Sequence, residues 1–202
     1  MADDASLSER AKGVSLPILA TGVWLLAAIA GLAVLWRYEL TDRPVSPAPE
    51  SWPEGTTLSR DGRPTLVLVA HPLCPCTRAS IGELSVLMAR SVGRLDARVV
   101  FVEPEGMAPA RESASWQRAA AIPGVIVVSD PGGREAALFK ASTSGHTVLY
   151  DAAGRLVFVG GITSARGHLG DNTGRSGILA WLGDSAAAPP TNPVFGCSLT
   201  AH

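Results

Sequence analysis

The most regular feature of the sequence is an uninterrupted apolar run from Leu16 to Trp36, which contains no charged residue. At 1.5 Å per residue, a helix of this length reaches roughly 30 Å, the thickness of the hydrocarbon core of a bilayer. Trp36 and Tyr38 stand where membrane proteins concentrate interfacial aromatic residues. The run therefore predicts one transmembrane helix over residues 16–36 that contacts the lipid bilayer.

Two other interpretations of this run stay open. Ala28-Ile29-Ala30 has the pattern of a signal-peptide cleavage site, but the chain stays apolar as far as Trp36, which favours an uncleaved anchor. A buried helix of a soluble protein is the weaker alternative, because a proline-rich stretch follows. The basic residues say little about orientation, since they lie on both sides of the run: Arg10, Lys12, Arg37 and Arg43.

Beyond the apolar run, short apolar stretches typical of buried strands alternate with segments of helical periodicity. Residues 37–63 carry four prolines and few aliphatic residues, which predicts a semi-extended linker. Strands are predicted at Thr65–Ala70, Arg98–Val102, Val125–Val128, Thr147–Tyr150 and Leu156–Val159. Helices are predicted at Thr77–Val92, Arg111–Ala121, Gly133–Ala141 and Gly174–Leu182. The tail from Ala186 onward is expected to be irregular.

Strands that alternate with helices, followed by a hairpin and a closing helix, predict an α/β domain with a mixed sheet flanked by helices on both faces. The hairpin turn is expected at Asp151-Ala152-Ala153-Gly154. The predicted organisation is a cytoplasmic segment 1–15, an anchor 16–36, a linker 37–63, a folded domain 64–185 and a C-terminal tail 186–202.

Composition excludes several functions. The formal charge of −1 leaves no basic stripe for nucleic acid, and no nucleic-acid motif is present. Three cysteines are too few for a disulfide scaffold, and Cys74 and Cys76 are separated by one residue, which points to thiol chemistry. No glycine-rich phosphate loop follows a predicted strand, so no organic cofactor is expected.

The two close cysteines lie between a predicted buried strand and the first turn of a helix. A helix N-terminus carries partial positive charge, which favours a thiolate and lowers the pKa of its thiol. His71 and Arg78 are positioned to add positive potential. Pro75 restricts the backbone between the sulfurs. We expect Cys74 to attack, as the earlier and more exposed sulfur, and Cys76 to resolve the mixed disulfide.

Two other interpretations of the cysteines stay open. Both side chains would be inert if they only filled a buried apolar space. Two thiolates also suit Cu(I) or Zn, with further ligands available from His71, His146, His168 or Cys197. The spacing of two cysteines does not separate these interpretations.

The strand, the segment His71-Pro72-Leu73-Cys74-Pro75-Cys76-Thr77-Arg78 and the hairpin Val148–Val157 resemble the thioredoxin superfamily. The resemblance covers about Thr65 to Leu182 and is nearest to the membrane-tethered TlpA-like and peroxiredoxin-like branches. The phrases TSGHTVLYDAAGRLVFVGGIT and SARGHLGDNTG also resemble the small thioredoxin-like group called RedB. The resemblance implies a thioredoxin-like fold and thiol–disulfide exchange.

The sequence departs from the superfamily at three points. One residue is missing between the cysteines, and Thr77 stands where the second cysteine of a C-x-x-C site would be. Thr147 occupies the place of the cis-proline that faces the cysteines in this superfamily. No acidic residue precedes the motif in its strand, so the usual buried proton acceptor is not expected. The site residues implied are Cys74, Cys76, His71, Thr77, Arg78, Thr147 and His168.

The topology of a terminal hairpin predicts a polar loop at the rim of the cysteine site. The second strand of the hairpin ends on the cysteine side of the sheet, so residues 163–172 are expected on that side. His168 in this loop is a candidate proton shuttle or metal ligand. A solvated loop without a role is the alternative. Cys197, in an apolar patch of the tail, is either a resolving thiol or metal ligand, or a cysteine on a flexible terminus, which we favour.

The sequence thus predicts a thiol–disulfide oxidoreductase tethered by a single pass to the inner membrane. Its domain is expected on the periplasmic side, where the partner would be an envelope protein with a thiol or disulfide. One alternative is a copper-binding metallochaperone with the same fold. The other is a redox-inert interaction module that docks through the loop around His168.

Overall fold

The computed structural model describes residues 3–41, 45–183 and 191–199. These divide into two compact units, residues 1–41 and 42–202. The first unit is a single helix, α1 (Asp3–Leu40). Its segment Leu16–Leu40, of mean hydropathy 2.4, is long and apolar enough to cross a membrane. An apolar N-terminal helix is therefore confirmed, and it extends four residues beyond the predicted end at Trp36; both an anchor and a signal sequence fit this description.

The second unit alternates strands and helices as predicted. Its strands are β1 (Thr65–Ala70), β2 (Asp96–Glu103), β3 (Val125–Pro131), β4 (His146–Tyr150) and β5 (Leu156–Gly160). Its α-helices are α2 (Pro75–Arg90), α3 (Ala114–Ala120), α4 (Arg134–Leu138) and α5 (Thr173–Leu182). A 3₁₀ turn covers Ala110–Glu112. The predicted helix Arg111–Ala121 is divided because Ser113 caps α3, accepting a hydrogen bond from the backbone N–H of Trp116.

The five strands form one mixed sheet in the order β3-β2-β1-β4-β5. β1 pairs in parallel with β2, and β2 with β3, whereas β4 is antiparallel to both β1 and β5. The β4–β5 turn lies where predicted, and Asp151 accepts hydrogen bonds there from the backbone N–H groups of Gly154 and Arg155. The mixed α/β sheet is confirmed.

Both faces of the sheet are covered, which explains why every residue of β1 is buried. On one face Leu66 and Leu68 join a cluster with residues of α2, α3 and α5. On the other face Val67 and Val69 join a cluster that includes Phe139 and Tyr150. β1 is therefore the centre of the domain, and the chain leaves its end at Ala70 to enter the cysteine turn.

The predicted linker 37–63 is wrong over residues 45–63, which we call the entry segment, because they pack into the domain. The ring of Trp52 lies 5.3 Å from the rings of both Phe139 and Tyr150, in edge contacts. Leu58 is buried, and Thr57 donates two hydrogen bonds to Glu135. The domain thus begins well before residue 64, while residues 42–44 lie outside the described residues.

Residues 191–199, which we call the C-terminal strap, also lie on the domain. Isolated bridges join Asn192 to Gly160 and Ser198 to Thr143. Val194 and Leu199 are buried. The expectation of an irregular tail holds, because the strap has no helix or strand, but the favoured flexible terminus is wrong for these residues. Residues 186–190 and 200–202 of the predicted tail lie outside the described residues.

Candidate thiol site

The cysteine turn is built by the start of α2. Cys74 is the N-cap residue and Pro75 the first helical residue, where the missing N–H of proline does no harm. The backbone N–H of Cys74 donates to the carbonyl of His71 at 3.1 Å, and that of Thr77 donates to the carbonyl of Cys74 at 3.0 Å. The turn thus fixes both cysteines at the helix N-terminus, as the sequence predicts.

Both cysteines of the turn are buried: Cys74 is 4% exposed and Cys76 is 7% exposed. The prediction that Cys74 is the more exposed sulfur is therefore wrong. Leu73, just before them, is 70% exposed. All three cysteines of the chain are thiols rather than disulfides.

The third cysteine joins the site. The sulfur of Cys197 in the C-terminal strap lies 3.1 Å from the sulfur of Cys74, and the Cys197 side chain is exposed. The backbone N–H of Ser144 donates to the carbonyl of Cys197 at 2.8 Å, which holds the strap beside the turn. Cys197 therefore lies beside the cysteine turn at the N-terminus of α2, as its interpretation as a resolving thiol requires.

The surroundings make the three thiols unequal. A hydrogen bond from the thiol of Cys76 lowers the pKa of Cys74 well below its ordinary value, against the opposing effect of burial. The thiol and backbone N–H of Cys197 lower that pKa further. The pKa of Cys76 is raised, because it donates to the Cys74 sulfur and is buried. These surroundings favour the thiolate form of Cys74 and the protonated form of Cys76.

A buried polar residue that the sequence did not single out, Ser144, connects the parts of the site. Its hydroxyl accepts from the backbone N–H of His71 at 3.0 Å and lies 2.9 Å from the hydroxyl of Thr77. The Thr77 hydroxyl in turn donates to the carbonyl of His71 at 2.9 Å. Thr77 and Ser144 therefore hold the cysteine turn from its buried side. The only sequence signal was a polar run just before β4.

Thr147 lies on β4, paired in register with Leu68 of β1. It is fully buried, and its hydroxyl donates to the carbonyl of Gly145 at 3.1 Å. A Cβ added at Gly145 would lie 3.6 Å from the carbonyl oxygen of Phe195 in the C-terminal strap. The strap thus passes close to the segment that leads into β4, and the substrate-docking role of Thr147 stays a prediction.

The two residues expected to add positive potential differ in setting. Arg78 is exposed on the first turn of α2. His71 is half-buried, and its Nδ1 accepts a hydrogen bond from the backbone N–H of Leu73 at 3.3 Å. A neutral His71 imidazole therefore carries its proton on Nε2. The electrostatic roles of both residues stay predictions.

The rim loop, residues 163–172, lies where the topology predicts it. The backbone N–H of Gly167 hydrogen-bonds the sulfur of Cys76, and Arg166 donates to the carbonyl of Gly196 at 3.1 Å. The loop therefore contacts both the cysteine turn and the strap. His168 is exposed on this loop, and its role as a proton shuttle stays a prediction.

A buried carboxylate, missed by the sequence reasoning, holds the rim loop on α2. Glu83 is 1% exposed and accepts hydrogen bonds from the backbone N–H of Gly170 at 2.7 Å and the side-chain amide of Asn172 at 3.1 Å. It also forms an ion pair with the buried Arg175 of α5. The available signal was an acidic residue two helical turns after Cys76, on the same face of α2.

His146 lies apart from this chemistry. It alternates with Thr147 along β4, and so points to the sheet face of Val69 rather than that of Leu68. Burial lowers the pKa of His146 to about 4, and its Nε2 is buried without a hydrogen-bond partner. Within the described residues, no group of three or more His, Cys, Asp or Glu side chains is arranged to hold a metal ion.

The sheet and the cysteine turn together define the fold class: the chain has a thioredoxin-like fold. No protein-family model and no curated protein matches it. A hypothetical protein from Sinorhizobium meliloti 1021 is similar in structure, with a TM-score of 0.58, 18% identity, and coverage of 80% of this chain and 95% of that one.

An uncharacterized conserved protein from Geobacillus kaustophilus is also similar, with a TM-score of 0.57, 14% identity, and coverage of 81% of this chain and 93% of that one. A secreted disulfide oxidoreductase of Mycobacterium tuberculosis matches at a TM-score of 0.42 and 14% identity, covering 60% of this chain and 81% of that one. At these identities the likeness to the Sinorhizobium and Geobacillus proteins shows the fold alone.

Proposed function

We propose that the protein is a thiol–disulfide oxidoreductase with Cys74 as its reactive thiolate. The observation that carries this proposal is the position of the Cys74 sulfur at the N-terminus of α2, 3.1 Å from the Cys197 sulfur and beside Cys76, whose hydrogen bond is the main cause of the lowered pKa of Cys74. A structural cysteine in an apolar core has a raised pKa and is inert, whereas this one has a lowered pKa. The arrangement stabilises a thiolate, which is the form that takes part in exchange.

The simplest form of the reaction uses the Cys-Pro-Cys turn alone. The Cys74 thiolate attacks one sulfur of a partner disulfide, whose S–S bond breaks and releases a partner thiolate. Cys76 gives up its proton to solvent and attacks Cys74, which forms the Cys74–Cys76 disulfide and releases the second partner thiolate. The partner disulfide is reduced by two electrons, and the reverse steps oxidise a partner dithiol.

The apolar segment Leu16–Leu40 supports a location at a membrane. As part of the proposal, α1 anchors the protein to the inner membrane, with the domain on the periplasmic side and an envelope protein as its partner. Disulfides persist in such oxidising spaces, whereas cytosolic thiols are kept reduced. The exposed Leu73, beside the cysteine turn, provides an apolar contact for that partner.

The proposal is tested by the midpoint potential of the full chain in detergent, measured by thiol trapping across glutathione buffers. We expect a reversible two-electron transition between roughly −100 and −300 mV, the span of known oxidoreductases. Cys74→Ser should abolish it, because the variant lacks the reactive thiolate. The absence of any reversible transition in the wild type contradicts the proposal: bound copper in reduced protein would then indicate a metallochaperone, and its absence an interaction module.

A further inference from the structure

The position of Cys197 is fixed by backbone contacts on both sides of it. The carbonyl of Cys197 accepts from the N–H of Ser144 at 2.8 Å, and the N–H of Leu199 donates to the carbonyl of Ser142 at 2.9 Å. At Gly196, a Cβ would stand 1.8 Å from the carbonyl oxygen of Ser144, so only glycine allows this approach. The strap is thus built to lie against this edge of the domain.

This placement brings Cys197 to the sulfur of Cys74. The two sulfurs are 3.1 Å apart, and the S–S bond of a disulfide is about 2.05 Å. A shift of about 1 Å between two side chains therefore closes the bond. The residues are separated by 123 positions in the sequence, so their meeting is a product of the fold.

Cys76 is the less favourable partner for a disulfide with Cys74. Only Pro75 separates the two, and its ring fixes φ, so a Cys74–Cys76 disulfide closes a small ring through a rigid residue. Disulfide geometry is specific, and departures from it make the bond easier to reduce. Cys197 approaches on a separate segment and carries no such constraint.

Exposure separates the two sulfurs of the Cys74–Cys197 pair. Cys74 is 4% exposed, whereas Cys197 is exposed on the outer side of the site. A partner thiol or disulfide approaching from solvent therefore reaches Cys197 first. Cys76, 7% exposed, is less accessible than Cys197.

We infer that the redox pair of this protein is Cys74 and Cys197, and that Cys197 is the sulfur that exchanges with the partner protein. The inference rests on the proposed function, thiol–disulfide exchange at Cys74, and replaces Cys76 by Cys197 as the second thiol of the pair. Cys76 then lies outside the redox pair, and its hydrogen bond lowers the pKa of Cys74.

The exchange balances in two steps with a partner dithiol. A partner thiolate attacks the Cys197 sulfur of the oxidised protein, the Cys74–Cys197 bond breaks, and its electron pair leaves on Cys74 as a thiolate. The second partner thiolate then attacks the partner sulfur of the mixed disulfide, and Cys197 departs as a thiolate and takes a proton from water. A thiol of low pKa leaves faster, which suits Cys74 to the first step.

The test maps the disulfide in the full chain in detergent after equilibration with oxidised glutathione, alkylation of remaining thiols and digestion with trypsin. Cys74 and Cys76 fall in the peptide 61–78, and Cys197 falls in the peptide 176–202. We expect the two peptides to be cross-linked in the wild type and in Cys76→Ser. The cross-link should be lost in Cys197→Ser, and Cys74→Ser should retain glutathione on Cys197.

A second pair of variants keeps every thiol. Gly196→Ala should lower the yield of the cross-link several-fold, because the added Cβ moves the strap away from Ser144. Gly183→Ala is its matched control, since a Cβ there meets its nearest atom at 3.4 Å, an ordinary contact, and it should form the cross-link as the wild type does. Circular dichroism of each variant confirms that the fold is retained.

The outcomes separate this inference from the proposed function. A disulfide within peptide 61–78, present equally in the wild type and Cys197→Ser, overturns the inference and leaves the proposed function intact. Cysteines that do not change at any glutathione ratio overturn both. Cross-linking that persists in full in Gly196→Ala shows that the strap does not position Cys197 and also contradicts the inference.

Discussion

The entry segment 45–63 and the C-terminal strap 191–199 look alike in the sequence and differ in the structure. Neither has the periodicity of a helix or strand, and both lie on the domain. The entry segment is held by side chains, through the ring of Trp52 and through hydrogen bonds to Glu135. The strap is held by buried side chains such as Val194 and Asn192, and also by close contacts of its backbone with glycines of the domain.

The glycine contacts show how the strap is accommodated. A Cβ at Gly160 would stand 2.3 Å from the carbonyl oxygen of Asn192, and one at Gly161 would stand 2.4 Å from that of Pro193. The strap thus lies in a groove that exists because side chains are absent. We therefore expect the entry segment to add stability to the domain and the strap to add a sulfur to the site.

The largest effect is expected at the entry segment. Trp52→Ala removes edge contacts with Phe139 and Tyr150, and with them the stacking of Arg60 on the Trp52 ring at 5.2 Å. We expect the free energy of unfolding of the domain to fall by about 3 kcal/mol, at the low end for a tryptophan because the side chain is half-buried. Denaturant unfolding of the full chain, followed by fluorescence of the remaining tryptophans, measures it.

The matched control for Trp52→Ala is Glu54→Ala, an exposed position in the same segment, which should stay within about 0.5 kcal/mol of the wild type. Disulfide mapping of folded Trp52→Ala should be unchanged if the segment acts on stability alone. The comparison fails if Trp52→Ala leaves stability unaltered, or if it abolishes the disulfide while the domain stays folded.

The next effect concerns the thiols. Cys76→Ala removes the hydrogen bond that does most to lower the pKa of Cys74, so that pKa should rise by at least about one unit, or about 1.4 kcal/mol. The pKa of Cys74 in the wild type is lowered to about 4, so its alkylation rate should rise with pH in the acid range and be flat at neutral pH. In Cys76→Ala the pH at which the rate reaches its plateau should be higher by at least about one unit, as read from peptide 61–78.

Cys197→Ala is the matched variant for this measurement. The Cys197 side chain lowers the pKa of Cys74 less than the Cys76 side chain does. The pH profile of Cys197→Ala should therefore shift in the same direction as that of Cys76→Ala, but by less. A larger shift in Cys197→Ala than in Cys76→Ala would assign the main hydrogen bond to the strap. Profiles that coincide in all three proteins across the acid and neutral range would show that neither thiol stabilises the Cys74 thiolate.

Much of the fold was predictable because its signals are local. The apolar run of β1 gave Thr65–Ala70, the observed bounds, and the Asp151–Gly154 turn located the hairpin. The predicted start of α2 was late, because Pro75 was not counted as the first helical residue. The linker was misjudged, since Trp52 and Leu58 are isolated apolar residues whose burial depends on partners far along the chain.

The site was predictable only in part, because some of its residues meet through contacts between distant parts of the sequence. The cysteine turn follows from a strand, a proline and a helix that are contiguous in the sequence. Ser144, which lies 67 positions from Thr77, and Cys197, which lies 123 positions from Cys74, reach the turn only through the sheet order and the path of the strap. Glu83 likewise became recognisable only with Arg175 as its partner. Contacts at such separations leave no periodicity to detect.

The smallest effect is expected at Glu135 of α4, whose carboxylate accepts hydrogen bonds from the entry segment. Burial favours the neutral form of Glu135, but hydrogen bonds from Thr56 and Thr57 outweigh it and lower the pKa of Glu135 below its ordinary value of 4.5. A carboxyl group with a lowered pKa stabilises the fold above its unfolded-state pKa, and this stability is lost as pH falls through the folded-state value. The entry segment should therefore loosen in acid.

Glu135→Gln isolates this contribution. At neutral pH the free energy of unfolding of the variant should be about 1 kcal/mol lower than that of the wild type, because an amide accepts these hydrogen bonds less strongly than a carboxylate. The difference should shrink as pH falls below 4.5 and through the lowered pKa of Glu135, where the carboxylate takes up its proton. Glu112→Gln, at an exposed position, controls for loss of charge and should show no such convergence. A constant difference at all pH values would mean that the charge of Glu135 does not hold the entry segment, and that its apolar contacts carry the attachment.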